Sequence, residues 1–145
     1  MTIREATVQD RPEWLRMRVA LWPGSPSEHD IETQRYFEQK SGSLRTFVAE
    51  GEGRLVGFLE LDQRKYAPGC SSSPVPFIEG WYVEPDMRRR GIGRALVVAA
   101  EDWAGAAGFT EIASDAEIEN DGSLAAHAAL GYTEIERVVC LRRAL

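Results

Sequence analysis

The chain has 145 residues, 43% of them hydrophobic and 28% charged, and its 23 acidic against 17 basic side chains leave a net charge of −6. That length suits one domain able to bury about two thirds of its unfolded surface, so disulfides are not needed to hold it together. The acidic balance argues against nucleic acid as main partner, and no apolar run approaches the roughly 18 residues of a membrane span.

No repeat or low-complexity tract divides the sequence, which reads as one domain over residues 1 to 145. "TIRE" is the first strand. Thr7, followed three positions on by Asp10, has the spacing of a capping box, ahead of a helix carrying Trp14, Leu15, Val19 and Leu21 that ends at the "WPG" of Trp22 to Gly24. A second helix begins at Ser27 and runs through Tyr36 and Phe37. "LRTFVAE" and "RLVGFLELDQ" have strand composition, and Gly51, Glu52 and Gly53 between them predict a hairpin. A loop rich in Pro, Ser and Gly covers Ala67 to Pro74, and "VPFIEGWYV" is the next strand. Residues 91 to 107 form a helix with Ile92, Leu96, Val97 and Trp103 at apolar positions, and "FTEIAS" is a strand. Residues 122 to 130 make a short Ala-rich helix, and "YTEIERVVCLRR" closes the chain as a last strand. The order of strand, two helices, three strands, helix, strand, helix and strand gives an α/β fold, a mixed central sheet flanked by helices.

Cys70 and Cys140 lack metal-ligand spacing, and the N-terminus has neither the basic start nor the apolar core of a signal peptide, so a reducing cytoplasm is the expected compartment. "DAEIENDG" has acids at the first, third and fifth positions of a calcium-type loop counted from Glu117, but Ala128 stands where a bidentate Glu is required, and no metal is expected.

The segment "VEPDMRRRGIGRAL" carries the strongest chemical signal. A strand that enters a glycine-rich turn and then a helix leaves several backbone N–H groups unpaired, with the positive end of the helix dipole behind them. Such a turn binds anions. Gly91 and Gly93 let the main chain close around a phosphate, Ile92 lies between them, and Arg88, Arg89, Arg90 and Arg94 supply charge. A solvated basic turn opening a helix is the alternative. The segment lacks the Lys-Ser/Thr ending of a P-loop, and four predicted strands precede it, which excludes a dinucleotide-binding half.

"RRRGIGRAL" resembles the Arg/Gln-x-x-Gly-x-Gly/Ala signature of the GNAT N-acetyltransferases, with Arg88, Gly91 and Gly93 in the defining places, and the element order is similar to that fold along the whole chain. "LWPGSP", "GCSSSPVPFIEG", "ASDAEIEN" and "LGYTEIERV" together resemble the aminoglycoside 6'-N-acetyltransferases within it. The resemblance implies acetyl transfer from acetyl-CoA, as cosubstrate, to the 6'-amine of an aminoglycoside, and a homodimer with the last strand or the 67 to 74 loop at the contact. It also implies that Trp22, Tyr66, Glu79, Asp115 and Glu136 hold the antibiotic, that Asn120 bonds the pantetheine arm, and that main-chain groups of Trp81, Tyr82 and Val83 face the thioester.

Those acids suit the chemistry, because aminoglycosides carry several ammonium groups that unpaired carboxylates in a partly desolvated cleft attract. Net negative charge serves solubility equally well. An alkyl amine with a pKa of about 10.4 must lose a proton before it attacks a thioester, and Glu79 acting through a water is the first candidate base, with Asp115 the second. His127 stands where many relatives place a Tyr that protonates the departing thiol; a pantetheine contact or a place on the helix surface are its other readings. Tyr132 reads as packing. Neither cysteine is set up for a covalent intermediate, which leaves direct transfer in a ternary complex. Two further readings stay open: another amine acceptor, such as a polyamine, an amino sugar or a protein N-terminus, and an acetyl-CoA-sensing module without turnover.

Overall fold

The structure, a computed structural model, describes residues 1–39 and 45–145; Leu44, the first residue of the "LRTFVAE" strand, lies outside the described residues. One sheet runs in the order β1 (Thr2–Glu5), β2 (Arg45–Gly51), β3 (Arg54–Arg64), β4 (Val75–Val83) and β5 (Ala113–Ser114). The first four strands are antiparallel, and β5 joins β4 in parallel through Phe77↔Ala113 and Ile78↔Ser114. The predicted hairpin is β2–β3, closed by Glu52 and Gly53 with φ of 54° and 73°, the positive pair whose twist matches two right-twisted strands. Every residue from Leu55 to Leu61 in β3 is buried, including Glu60. That run is continuous rather than alternating because helices cover both faces of the sheet.

Helices α1 (Arg11–Leu21) and α2 (Pro26–Glu38) cover one face, where Trp14, Met17, Val48, Phe58 and Tyr82 form one cluster. Helix α3 (Ile92–Ala106) covers the other with Ile92, Leu96, Val97 and Ala100 set against Phe47, Ala49, Leu59 and Ile78. Leu130 and Tyr132, just beyond α4 (Asp121–Ala129), pack on this second cluster. Residues adjacent in a strand thus serve opposite cores, as Phe47 and Val48 do, which is the consequence of side chains alternating across a pleat. The second helix begins at Pro26 with Ser25 before it, slightly earlier than the Ser27 expected, since proline's fixed φ suits the first helical position.

The capping box predicted at Thr7 and Asp10 is present in its reach-back half. The Asp10 carboxylate accepts from the Thr7 N–H (2.7 Å) and hydroxyl (3.0 Å), and from the Arg4 fork (2.7 and 2.9 Å), tying β1 to the start of α1. These donors, Arg4 first, hold its carboxyl at about 2 against an ordinary 3.8. A depressed carboxyl contributes stability that is present above the ordinary value and lost as pH falls toward the depressed one. Asp10→Asn is therefore expected to cost about 1–3 kcal/mol at pH 7, with its deficit against the native protein shrinking between pH 4 and pH 2. Thermal unfolding at several pH values measures this; equal midpoints at pH 7 would refute it.

Two strand expectations are corrected. "FTEIAS" shrinks to Ala113–Ser114, because in the parallel register its earlier residues fall opposite 73–76, where β4 has only begun at Val75 and Pro74 and Pro76 have no N–H to offer a ladder. "YTEIERVVCLRR" forms no strand in this chain: residues 133–145 carry no regular secondary structure, and Val139 and Leu141 are 84% and 90% exposed. A strand requires a hydrogen-bonded neighbouring strand, and among the described residues none pairs with this segment.

Candidate active site

The site begins with an irregularity in the sheet. Glu60 faces Gly80 while Leu61 faces Ile78, so Glu79 is an extra residue on β4, a bulge that bends the strand and increases its twist. Pairing with β5 stops at Ile78 and Ser114, yet β4 continues to Val83. Its outer edge from Glu79 to Val83 therefore has no neighbouring strand among the described residues. The bulge precedes Trp81 to Val83, because the register shift falls opposite Glu60 and Leu61.

The glycine and arginine loop follows β4 after a single 3₁₀ turn, Pro85–Met87. Gly91 precedes the first residue of α3 with φ of 80°, and Ala95 N–H closes the first helical bond on Gly91 O at 3.0 Å. The N–H groups of Ile92, Gly93 and Arg94 belong to the first turn, where a helix offers no internal acceptor. The two glycines are required for different reasons. A Cβ at Gly91 would meet nothing within 4 Å, so that position needs glycine for its left-handed backbone. At Gly93 a Cβ would lie 3.2 Å from the Trp81 ring, whose Nε1 donates to Gly93 O at 3.2 Å. Arg88 folds back, its Nε donating to Val83 O at 2.9 Å and its guanidinium 5.8 Å from the Tyr82 ring. Arg90 reaches Glu52 at 3.2 Å and Arg94 reaches Ala129 O at 3.4 Å. Arg89, with φ of 62°, has no partner among the described residues.

Asn120 caps α4 by accepting from Ser123 N–H at 3.1 Å. His127, on the same helix, is half-buried. Its Nδ1 lies 2.7 Å from Ser123 O and its Nε2 2.8 Å from the Ser114 hydroxyl, while its ring meets Trp81 (5.1 Å, 84°) and Tyr132 (5.7 Å, 81°) edge-on. A carbonyl only accepts, which assigns a proton to Nδ1 and leaves Nε2 to accept from Ser114, or to donate to it once the ring is charged. Burial and Glu101, which accepts from its hydroxyl at 3.0 Å, push the Tyr132 phenol far above its ordinary range, in keeping with the packing role expected for it.

On the opposite face of the sheet, a cavity of about 690 Å³ lies among α1, α2, β3 and β4. Trp22 and Glu79 line it together with Arg18, His29, Glu60 and Asp62. Both oxygens of Glu79 are gripped by Arg64, Nε to Oε1 at 2.8 Å and Nη2 to Oε2 at 2.7 Å, and that guanidinium sits 3.5 Å from the centre of the Phe77 ring. Glu60 accepts from Trp14 Nε1 at 3.0 Å and pairs with Arg18 at 2.7 Å; burial pushes its carboxyl up to about 7 in spite of both partners. Tyr66, 72% exposed, and Asp115 and Glu136, also exposed, do not line this cavity. Arg64, Arg18, His29 and Gly80 escaped the sequence reading. Glu60 had left a signal, a lone carboxylate within the apolar run "RLVGFLELD".

Among the described residues, no three or more His, Cys, Asp or Glu side chains are grouped to hold a metal ion, and no helix is long and apolar enough to cross a membrane.

A family model described as "Acetyltransferase (GNAT) family" matches residues 14–132. The chain is 42% identical to an aminoglycoside N(6')-acetyltransferase type 1 of Klebsiella aerogenes, covering 99% of this chain and 96% of the relative. The crystal structure of an aminoglycoside 6'-N-acetyltransferase from Acinetobacter haemolyticus superposes with a TM-score of 0.91 at 35% identity over 100% of this chain and 99% of that one. A second solved structure, AAC(6')-Iy in complex with the bisubstrate analogue CoA-S-monomethyl-acetylneamine, also gives 0.91, at 36% identity over 99% of this chain and 98% of that one.

Proposed function

The chain belongs to the acetyltransferase (GNAT) family, and from that premise we propose that it transfers the acetyl group of acetyl-CoA to the 6'-amino group of aminoglycoside antibiotics, conferring resistance to them. The observation that carries this reading is the meeting at Glu79 of two sites: the open β4 edge leading to the first turn of α3, and a carboxylate-bearing cleft on the other face of the sheet.

Acetyl-CoA supplies an activated acyl group attached to a long diphosphate-bearing arm. The first-turn N–H groups of α3, with Arg89 beside them, receive the diphosphate, and exposed Arg90 and Arg94 add charge. Arg88 braces the loop against Val83. The unpaired edge of Trp81, Tyr82 and Val83 bonds the amides of the pantetheine arm as an added strand would, and Asn120 meets the same arm. Trp22 offers a flat wall to a sugar ring, and Glu79, Asp115, Tyr66 and Glu136 meet the ammonium and hydroxyl groups.

Glu79, oriented by Arg64, takes the amine proton through a water, with Asp115 as the second candidate. A main-chain N–H of β4 beyond the bulge takes the charge that develops on the carbonyl oxygen. His127 lies on the opposite face from Glu79 and, when its ring is charged, gives the Nε2 proton to the departing sulfur and returns to the neutral form, a modest contribution because a thiolate with a pKa of about 8.5 leaves readily. The amine thus enters from one face of the sheet and the thiol leaves toward the other, in a single ternary complex.

The working form we propose is a homodimer in the cytoplasm, where acetyl-CoA is made and where two free cysteines are expected. Residues 133–145 expose Ile135, Val138, Val139 and Leu141, a strand-like sequence with no ladder of its own, and a second copy supplies the missing neighbour. Ile135 also packs on the 67 to 74 loop, where a Cβ at Gly69 would fall 2.6 Å from it, and the same segment carries Glu136.

Release of free thiol from acetyl-CoA tests the reading with kanamycin or tobramycin, then with spermidine and with a basic peptide. Turnover is expected only with the aminoglycosides, and turnover with the peptide alone overturns the assignment. Light scattering should report twice the chain mass; a monomer overturns the dimer.

A further inference from the structure

Trp22 is enclosed on several sides. Its N–H donates to Arg18 O (2.8 Å), and its carbonyl accepts from Gly24 N–H (2.8 Å) and from His29 Nε2 (2.8 Å). The His29 ring stacks on the indole at 6.0 Å and 18°, Phe58 meets it edge-on at 6.4 Å and 67°, and the Arg18 guanidinium lies 5.3 Å from its ring. Arg18 is itself fixed, 8% exposed and paired at 2.7 Å with both Glu32 and Glu60. The remaining side is bare main chain. A Cβ on Gly80 would fall 2.5 Å from Cη2 of the indole, closer than real contacts allow, and 3.0 Å from Cζ2. With its other neighbours packed, the ring has one direction left in which to yield, outward into the cleft.

We propose that Gly80 is a specificity-determining residue: the absence of a side chain there seats the Trp22 indole against β4 and sets the gap between that wall and the Glu79 carboxylate one residue away. His29 and the Arg18–Glu60 pair are positioning residues for the same ring. The inference rests on the cleft being the acceptor site. Its physical basis is the bulge, which turns Glu79 and Gly80 in succession toward the α1 and α2 side instead of letting them alternate.

The test compares the native protein with Gly80→Ala, Trp22→Phe and the double variant, measuring KM and kcat for kanamycin and KM for acetyl-CoA. Gly80→Ala should raise the kanamycin KM at least tenfold, lower kcat by a smaller factor and leave the acetyl-CoA KM within twofold. Trp22→Phe removes the ring atoms that the new methyl meets, so in that background Gly80→Ala should change the kanamycin KM less than twofold. The same fold-change in both backgrounds overturns the proposal. Should Gly80→Ala fail to fold, His29→Ala is read instead, with a raised kanamycin KM expected at retained kcat; an unchanged KM overturns the assignment. Absence of turnover in the native protein sinks the functional reading and this inference together, whereas native turnover with equal fold-changes sinks this inference alone.

Discussion

Replacing Glu79 by alanine is expected to lower turnover by about a hundredfold or more while acetyl-CoA affinity stays within about twofold. The separation follows from the sheet: the Glu79 side chain lines the cleft, whereas the groups proposed to meet the cofactor are main-chain groups on the open β4 edge and the loop beyond. A second effect accompanies the first. Arg64 makes both its bonds to Glu79, and once that carboxylate is gone its guanidinium remains beside the cleft without its hydrogen-bonded partner, a positive charge that repels a cationic acceptor. The kanamycin KM should therefore rise in Glu79→Ala and fall back when Arg64→Ala is added, with kcat remaining low. Steady-state kinetics with thiol release separate the two terms. Native turnover in Glu79→Ala would remove this carboxylate from the mechanism.

Gly91→Val should weaken acetyl-CoA binding by about a hundredfold, and Gly91→Asn by no more than a few fold. Gly91 holds φ at 80° with open space around it, so no clash confuses the comparison. A β-branched residue in that region costs on the order of 1–3 kcal/mol, which the loop relieves by turning its N–H groups off the common point. Asparagine tolerates the left-handed region and keeps them aimed. Calorimetric titration of acetyl-CoA measures the difference. Native affinity in both variants would mean that the diphosphate is not held at this turn.

The sequence was informative wherever the cause of a feature lies within a few residues. Thr7 and Asp10 announced the start of α1, Glu52 and Gly53 the hairpin, and Gly91 beside Arg88 the turn into α3, because caps, positive φ and helix entry depend on local backbone geometry. The composition of "LRTFVAE" likewise announced a strand, while its place between two cores came from the structure. The resemblance carried the fold class and pointed to Trp22 and Glu79, which the structure brings to one cavity.

What the tertiary structure decided were relations between distant residues. No local rule indicates that Arg64 grips Glu79, that the space over Gly80 belongs to Trp22, or that His127 lies between Ser114 and Trp81. Each depends on strand register, and one extra residue at Glu79 reassigns every neighbour beyond it. The last segment makes the same point in reverse: residues 133–145 have the composition of a strand, but composition supplies only side chains, and a ladder needs a second backbone alongside.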